Sequence, residues 1–497
     1  MKLASPAKKA LLFFKKEELF TLLKTGTFHL ALTFSARCPL WPFISAFCLV
    51  MSVAAVWLAP LLLWVGLFIF LSRGDQCFDR GYKQCRKVKG FFWSGFWWGA
   101  AWCGGVLLFP LYALVGIVGS VPCGFALFFC GIGITGYAGI LGGVCLWVRG
   151  SLNMILPKSR LGYLASEFVL LLLFFRFLLY DALRVFDLGE GFFFLHPLAP
   201  LMESPLWRMV VVLSGEWGAL SFLLLSLLGV RFFFFQKRWI LCVLSICVLV
   251  MPGNWNAVAE CPFSQAQGDF VCLPSKAFSP CCEVHAADAA VLLAGSLETI
   301  SKGCRGVMQT VIFPESAFPL EIALGTPAFQ ALEGLSVGRR LLCGCYWRGD
   351  VGVSNAAVFF VDGSFKGVYC KRHGVPFAER LPIWCAWPLM KELLKPLLGG
   401  DIFVQGSEQA PSFECEAVSL VPVLCSELFS EPIALEGTSQ RVVAVGMVND
   451  AWWVGTPFPY HLWRIAALRA LARKLSFLYV SYTRQGFFDG RGGWLNL

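Results

Sequence analysis

Three predicted strand ends in the second half of the chain carry side chains that together could attack a carbonyl group. Glu315 lies in the segment VIFPESA, Lys371 in YCK and Cys425 in VLCSELF. A thiol becomes a strong nucleophile only as the thiolate, so it needs a base and a nearby positive charge. Glu315 could accept the proton, Cys425 could attack the carbonyl carbon, and Lys371 could stabilise the oxyanion that forms.

Each of these residues taken alone carries little weight. A glutamate after a strand usually lies in a solvated turn, and one cysteine among 21 is usually a structural or small core residue. The surrounding motifs add context, because Glu379 follows Lys371 in VPFAERLP and Glu427 follows Cys425 in CSELF. Strands that alternate with helices and end in polar residues predict a layered α/β domain with its site at the strand ends.

The order of these motifs resembles the carbon–nitrogen hydrolase (nitrilase) superfamily. The segment NDAWW at residues 449–453, followed by His461 and Arg469-Ala470, is similar to a stretch of the apolipoprotein N-acyltransferases, and the resemblance covers residues 311–493. It implies a nitrilase-like αββα sandwich. By motif it also implies that Glu315 is the general base, Lys371 the oxyanion partner and Cys425 the nucleophile.

The same resemblance implies the function. An acyltransferase of this family moves an acyl chain from a phospholipid donor, through a cysteine thioester, to the N-terminal amine of a lipoprotein acceptor. Glu379 and Glu427 match supporting acids of the family, and a purely structural role for either is an equal alternative. His461 is expected to be structural.

Two departures from the family pattern leave alternatives open. Ser426 stands where the family usually has tyrosine, and the chain stops at Leu497, where we expect the family's last strands and its final helix to be missing. This pattern resembles the TraB-type relatives of conjugative transfer, which would make the chain an accessory of a conjugative secretion apparatus with altered or weak catalysis. A third alternative is an amidase that hydrolyses a small amide.

Composition predicts a membrane protein. Of the 497 residues, 57% are hydrophobic and only 14% are charged, whereas soluble domains carry about 25% charged residues. The basic excess lies in the first half: residues 1–252 have 22 Lys and Arg against 10 Asp and Glu. A nucleic-acid partner would need a basic patch on a soluble domain, which the sequence lacks, so we expect no nucleic acid to bind.

Apolar runs of spanning length predict a helical bundle of about seven spans. The runs are Phe91–Val118, Val121–Val148, Tyr163–Tyr180, Met209–Val230, a hairpin or single span at Leu40–Leu71, and Trp239–Pro252 extended to about Val258. Lys and Arg concentrate before Leu40 and at Arg73–Lys89, which places both segments in the cytoplasm. An odd number of spans then puts residues 253–497 outside, in the periplasm of a bacterial inner membrane.

These patterns predict three parts: a basic cytoplasmic segment at 1–39, a transmembrane bundle at 40–258 and an outward-facing catalytic domain at 259–497. Residues 253–497 contain 11 cysteines, and an oxidising compartment would favour ten in disulfides with one free nucleophile. We expect no metal and no cofactor, because the sequence has no zinc-type Cys/His spacing, phosphate loop or dinucleotide fingerprint. The charged residues Glu167, Arg176 and Glu216 fall in apolar runs, where mutual pairing or snorkelling near an interface is favoured over a functional site.

Overall fold

The structure is a computed structural model, and it describes the segments that carry the candidate site together with two apolar helices. The described residues are 160–176, 180, 196–236, 270–272, 309–375, 379–380, 403–406, 412–415, 418–429, 441–453, 458–491 and 494–496. By its internal contacts the chain divides into two compact units, Met1–Phe175 with Ser221–Met251 and Arg176–Leu220 with Pro252–Leu497.

Two helices occupy predicted apolar runs. Helix α1 spans Arg160–Arg176, and helix α2 spans Pro205–Phe235 with a break at Gly215, where φ is 70° and ψ is 178°. Only glycine adopts such a conformation readily. Among the described residues one helical stretch, Pro205–Val230, is long and apolar enough to cross a membrane, with a mean hydropathy of 1.8. The predicted spans at Leu40–Leu71, Phe91–Val118, Val121–Val148 and Trp239–Pro252 lie outside the described residues.

Two six-stranded sheets form the second unit. The first sheet has the order β1-β2-β4-β5-β6, with β3 also paired to β4. Its strands are β1 (Phe270–Cys272), β2 (Thr310–Ile312), β3 (Phe318–Ile322), β4 (Arg340–Gly349), β5 (Gly352–Val361) and β6 (Ser364–Cys370). Because β2 runs parallel to β4, and β5 is antiparallel to both β4 and β6, strands β2, β4 and β6 end at one edge.

The second sheet has the order β12-β11-β10-β9-β8-β7. Its strands are β7 (Phe413–Cys415), β8 (Val418–Leu424), β9 (Arg441–Val448), β10 (Ser476–Ser481), β11 (Gln485–Phe488) and β12 (Trp494–Asn496). Strands β8, β9 and β10 are mutually parallel, so their carboxyl ends also share one edge. Side chains at the ends of parallel strands are therefore brought together in both sheets.

The two sheets pack face to face through a shared apolar core. Phe359 of the first sheet stacks on Phe413 of the second, with ring centroids 5.0 Å apart, and Ile312, Leu424 and Val445 are fully buried in the same cluster. Helix α3 (Pro327–Leu335) covers the other face of the first sheet through Phe329 and Leu332, and the buried helix α4 (Phe458–Arg473) packs on the second. The described part of the second unit is thus an α/β sandwich, as predicted.

Disulfide pairing of ten cysteines is wrong for three of those that the structure describes. Cys343, Cys345 and Cys370 form no disulfide in the described part of the chain, and neither does Cys425. Cys343 and Cys345 lie fully buried in the core beneath α3, and Cys415 lies in the core between the sheets. They pack there as small apolar side chains.

Candidate active site

Glu315, Lys371 and Glu379 form one buried ion-pair cluster. The Lys371 ammonium lies 2.7 Å from Glu315 Oε1 and 2.9 Å from Glu379 Oε2. Lys371 and Glu315 are each only 3% exposed, and the Glu379 side chain is 12% exposed. A buried ammonium is costly unless it is paired and hydrogen-bonded, and two carboxylates satisfy that need here.

Asn355 of β5 holds the two carboxylates at this spacing. Its amide Nδ2 donates to Glu315 Oε1 at 2.8 Å and to Glu379 Oε1 at 2.6 Å. The backbone N–H groups of Asn449 and Val375 donate to the other oxygens of Glu315 and Glu379, at 3.1 and 2.6 Å. The negative charges are therefore fixed by donors from several elements, not by Lys371 alone.

Lys371 stays charged inside the protein. Burial acts to lower the pKa of its ammonium, but the Glu315 and Glu379 carboxylates outweigh burial and hold the pKa well above its ordinary value. For Glu379, burial acts to raise the pKa, while Lys371 and the Val375 N–H act in the opposite direction and leave it lowered. The pair is thus ionised at neutral pH.

Cys425 lies at a strained turn directly after β8. Its φ of 40° is in the left-handed region, which residues other than glycine seldom adopt. Such strain costs about 1–3 kcal/mol and persists only where the surroundings enforce it. Here Cys425 opens a short 3-10 helix, Cys425–Phe429, and its half-buried side chain is close enough to Glu315 for that carboxylate to act on the pKa of the thiol.

The Cys425 thiol remains protonated until a base removes its proton. Burial is the largest cause that raises its pKa well above the ordinary value, and the Glu315 carboxylate adds to the effect while Lys371 opposes it. A resting thiolate is therefore disfavoured, and Glu315 is a carboxylate of this cluster that could accept the thiol proton.

Glu427 joins the turn Cys425–Phe429 to the end of β6, which is followed by Lys371. Its Oε2 accepts from the Leu424 N–H at 2.8 Å, and its Oε1 accepts from the Tyr369 hydroxyl and the Arg372 N–H, both at 2.7 Å. Leu424 belongs to the second sheet, whereas Tyr369 and Arg372 belong to the end of β6 in the first. Glu427 thus fixes the position of Cys425 relative to Lys371 without contacting either side chain in the described geometry.

Gly344 of β4 leaves room for the segment that carries Glu315. A Cβ at Gly344 would lie 2.5 Å from the Pro314 carbonyl oxygen and 2.6 Å from the Glu315 Cα, both backbone atoms. The neighbouring Ser316 has a φ of 52°, and its carbonyl accepts from the Tyr482 hydroxyl at 3.0 Å. The backbone at Glu315 is therefore restrained by its close approach to Gly344 and by the hydrogen bond from Tyr482.

The structure brings all five residues proposed from sequence to one end of the sandwich. Glu315, Lys371 and Glu379 share hydrogen bonds and ion pairs, and their charges act on the nearby Cys425 thiol. Glu427 links the turn that follows β8 to the end of β6. Sequence reasoning missed Asn355, whose signal was an amide inside the otherwise apolar strand VSNAAVFFV. His461 is buried on α4 and belongs to the fold.

A cysteine at a strained strand end, beside a glutamate and a lysine that form an ion pair, is an arrangement suited to a cysteine-dependent hydrolase or transferase on an α/β sandwich. No family model matches the chain. The apolipoprotein N-acyltransferase of Rhodopseudomonas palustris is 30% identical over 197 residues, which cover 37% of this chain and 35% of that protein. The corresponding protein of Allorhizobium ampelinum is 26% identical over 196 residues, with coverage of 37% and 36%.

A solved CN-hydrolase superfamily protein of Xanthomonas campestris aligns with 42% of this chain and 80% of its own, at 16% identity and a TM-score of 0.31. The chain spans about a third of the length of the curated relatives that it matches. By these sequence matches the chain is similar, over about a third of its length, to the apolipoprotein N-acyltransferases.

The close approach at Gly344 yields a first prediction. Gly344→Ala is expected to displace the Glu315 backbone, lower the thermal unfolding midpoint by several degrees, and change the rate at which iodoacetamide alkylates Cys425. Gly349→Ala on the same strand is the matched control, because its Cβ would meet only the Trp347 side chain at 3.8 Å. Equal effects of the two substitutions would contradict the proposed role of Gly344.

A second prediction follows from the lowered pKa of Glu379. A carboxyl whose pKa is depressed on folding contributes stability above its unfolded pKa of about 4.3, and that contribution is lost as the pH falls through the folded value. Glu379→Gln should therefore be clearly less stable than wild type at pH 7, and the difference should shrink below about pH 4.

The measurement is the thermal unfolding midpoint of the purified full-length chain in detergent across this pH range. Glu321→Gln is the control, since it removes only an exposed ion pair with Arg348, and such pairs contribute about 0–1 kcal/mol. A stability difference for Glu379→Gln that stays constant down to pH 3 would show that the charge on this carboxyl does not stabilise the fold.

Proposed function

We propose that the chain is a membrane-bound N-acyltransferase that moves an acyl chain from a phospholipid to the N-terminal amine of a lipoprotein, through a thioester on Cys425. The observation that carries this proposal is the buried cluster in which the Lys371 ammonium is paired with Glu315 and Glu379, with Cys425 close enough that the charges of Glu315 and Lys371 act on the pKa of its thiol. The names of the curated relatives support the acyl-transfer chemistry.

In the first half-reaction, Glu315 removes the thiol proton as the sulfur attacks the ester carbonyl carbon. The S–C bond forms, the carbonyl π electrons move to oxygen, and Lys371 is the cation next to the developing oxyanion. Collapse of this intermediate breaks the C–O bond, and Glu315 returns the proton to the departing alcohol. Cys425 is then a thioester, and the donor has become a lysophospholipid.

The Glu379 carboxylate keeps the Lys371 ammonium charged while the oxyanion forms. When Glu315 takes the proton it becomes neutral and no longer balances the ammonium. The Glu379 carboxylate, 2.9 Å away, keeps Lys371 charged throughout. In the second half-reaction a free amine attacks the thioester, an amide N–C bond forms, the C–S bond breaks and the sulfur regains a proton.

Location in a bacterial inner membrane, with several spans and a periplasmic catalytic domain, is part of the proposal. It rests on the apolar runs of the first half, on the apolar helical stretch Pro205–Val230 and on the basic segment Arg73–Lys89. The proposed parts remain 1–39, 40–258 and 259–497. The relatives give no support to the alternative in conjugative transfer.

A third prediction tests the nucleophile and the acceptor. Membranes that contain the chain are incubated with an alkyne-tagged phospholipid, and hydroxylamine-sensitive label on the protein is measured. Wild type and Cys415→Ala should carry the label, whereas Cys425→Ala and Glu315→Gln should not, because the first lacks the sulfur and the second the base. Undiminished label in Cys425→Ala would refute the assignment.

The acceptor is tested on the labelled protein. A synthetic lipopeptide with a free N-terminal amine should discharge the label, while the same peptide with an acetylated N-terminus should leave it in place. Discharge by both peptides, or by water alone, would identify a hydrolase and not an N-acyltransferase.

A fourth prediction tests the topology. Val351 is 87% exposed in the tight turn between β4 and β5, so a short protease recognition sequence inserted after Asp350 should be tolerated. Protease added to spheroplasts should cut this insertion but not the same sequence inserted in the basic segment Arg73–Lys89. Protection of the Asp350 insertion, or cleavage at both places, would contradict a periplasmic catalytic domain.

A further inference from the structure

Arg469 of helix α4 holds the far end of the turn Cys425–Phe429. Its Nε donates to the Leu428 carbonyl at 3.0 Å and its Nη2 to the Phe429 carbonyl at 2.9 Å. These are the last two residues of the 3-10 helix that Cys425 opens. Carbonyls at the end of a helical turn lack intrahelical partners, and a guanidinium that donates to two of them fixes the turn in one orientation.

The turn is therefore fixed at both ends. At its start, Glu427 accepts from the Leu424 N–H, and at its end Arg469 donates to two carbonyls. Leu428 between them is 2% exposed. Because Cys425 has a positive φ, its side-chain direction depends on restraint from the rest of this turn.

Arg469 also contacts a second buried cluster, formed by Tyr180, His196 and Glu216. The guanidinium carbon lies 5.7 Å from the centre of the Tyr180 ring, and Arg469 interacts electrostatically with Glu216. All four side chains are between 1% and 7% exposed. The buried Glu216 carboxylate and the buried guanidinium thus compensate each other's charge.

Hydrogen bonds orient Glu216 within this cluster. The Tyr180 hydroxyl donates to Glu216 Oε1, and His196 Nε2 lies 3.0 Å from the same oxygen. The Leu198 N–H donates to His196 Nδ1 at 3.1 Å, so Nδ1 must accept and the ring proton belongs on Nε2, where it donates to Glu216. Glu216 directly follows Gly215, where α2 breaks.

We propose that Arg469 is a positioning residue for Cys425, and that the Tyr180–His196–Glu216 cluster fixes Arg469 in turn. The nucleophile's geometry then depends on side chains from residues 176–220, which precede the catalytic segments by more than 90 positions in sequence. This deepens the proposed function and rests on it where acyl transfer is concerned. The proposed effect of Arg469 on the position of the Cys425 side chain does not depend on the proposed function.

The test compares two arginines of the same helix. Arg464 is fully buried, binds Glu203 at 2.9 Å and stacks on Tyr460, but it lies five residues earlier and so points about 140° away around the helix. Arg469→Ala should slow single-turnover acylation of Cys425 by the alkyne-tagged phospholipid at least about tenfold, since small misplacement of a nucleophile is costly. Arg464→Ala should leave this rate within about twofold in the protein that remains folded.

A second readout needs no acyl donor. The rate of Cys425 alkylation by iodoacetamide is measured against pH in the full-length chain, where the charged Glu315, Lys371 and Glu379 and the titratable Tyr479 face the thiol. Arg469→Ala should move the midpoint down toward that of an exposed thiol, about 8.5, because the turn no longer holds the sulfur in its partly buried position near these groups. Arg464→Ala should keep the wild-type midpoint, and Arg469→Lys should fall between wild type and Arg469→Ala because it keeps the charge without the two-donor fork.

The link to Glu216 is tested by a double-mutant cycle. Glu216→Gln should slow acylation in wild type but add little to Arg469→Ala, because both changes act through one contact. Equal loss in Arg464→Ala and Arg469→Ala, an unchanged alkylation profile in Arg469→Ala, or strictly additive effects in the cycle would overturn the proposal. If wild type takes up no lipid label while the alkylation profile still shifts, the proposed function fails and the positioning role stands.

Discussion

The buried ammonium of Lys371 is the group on which the rest of the site depends. Removing one partner from a buried ion pair typically costs 3–5 kcal/mol, so Lys371 can be buried only where carboxylates are already in place to receive it. Glu315 and Glu379 supply the charge, and Asn355 spans the gap between them. Gly344 is required for the same reason, since any side chain there would push Glu315 away from the ammonium.

The second constraint is that the reacting groups come from two different sheets. Glu315 and Lys371 follow β2 and β6, whereas Cys425 follows β8. The shared core, with Phe359 stacked on Phe413, fixes the distance between the sheets, but apolar packing has no direction and does not set the position of a single atom. Directional hydrogen bonds do this at the edge, and Glu427 makes them to both sheets.

Much of the sandwich could be predicted from sequence because its central strands are continuous apolar runs. The strands predicted at Leu341–Tyr346, Ala356–Val361 and Arg441–Met447 fall within β4, β5 and β9, and the strand predicted at Glu416–Val423 overlaps β8. The edge strands β1 and β7 and the short strands β3, β11 and β12 were missed, since three to five residues give no readable alternation. Helix α3 was also missed, although Thr326 caps it and Pro327 begins it.

The candidate site was predicted from motif order, but its internal partners were not. Glu315, Lys371 and Cys425 stand out because each follows a strand, whereas Asn355 lies inside one, and only the pairing of β5 with β6 brings it beside Lys371. Mutual pairing or snorkelling was predicted for Glu216, whereas the partners that the structure gives it, Tyr180 and His196, come from separate segments that no local pattern connects. Contacts that depend on long-range packing have no local sequence signal.

The charge balance of the cluster explains why a protonated thiol suits this site. Two carboxylates and one ammonium leave a net negative charge beside Cys425, and a resting thiolate would add a second one in a buried place. In this site the thiol loses its proton only as the sulfur attacks the carbonyl carbon. The negative charge then forms on the carbonyl oxygen, and Glu315 becomes neutral because it takes the proton. Lys371 and Glu379 then remain a balanced pair, and the oxyanion is the one unbalanced charge near the ammonium. The same arrangement that suppresses the thiolate at rest therefore favours the charge that forms in the transition state.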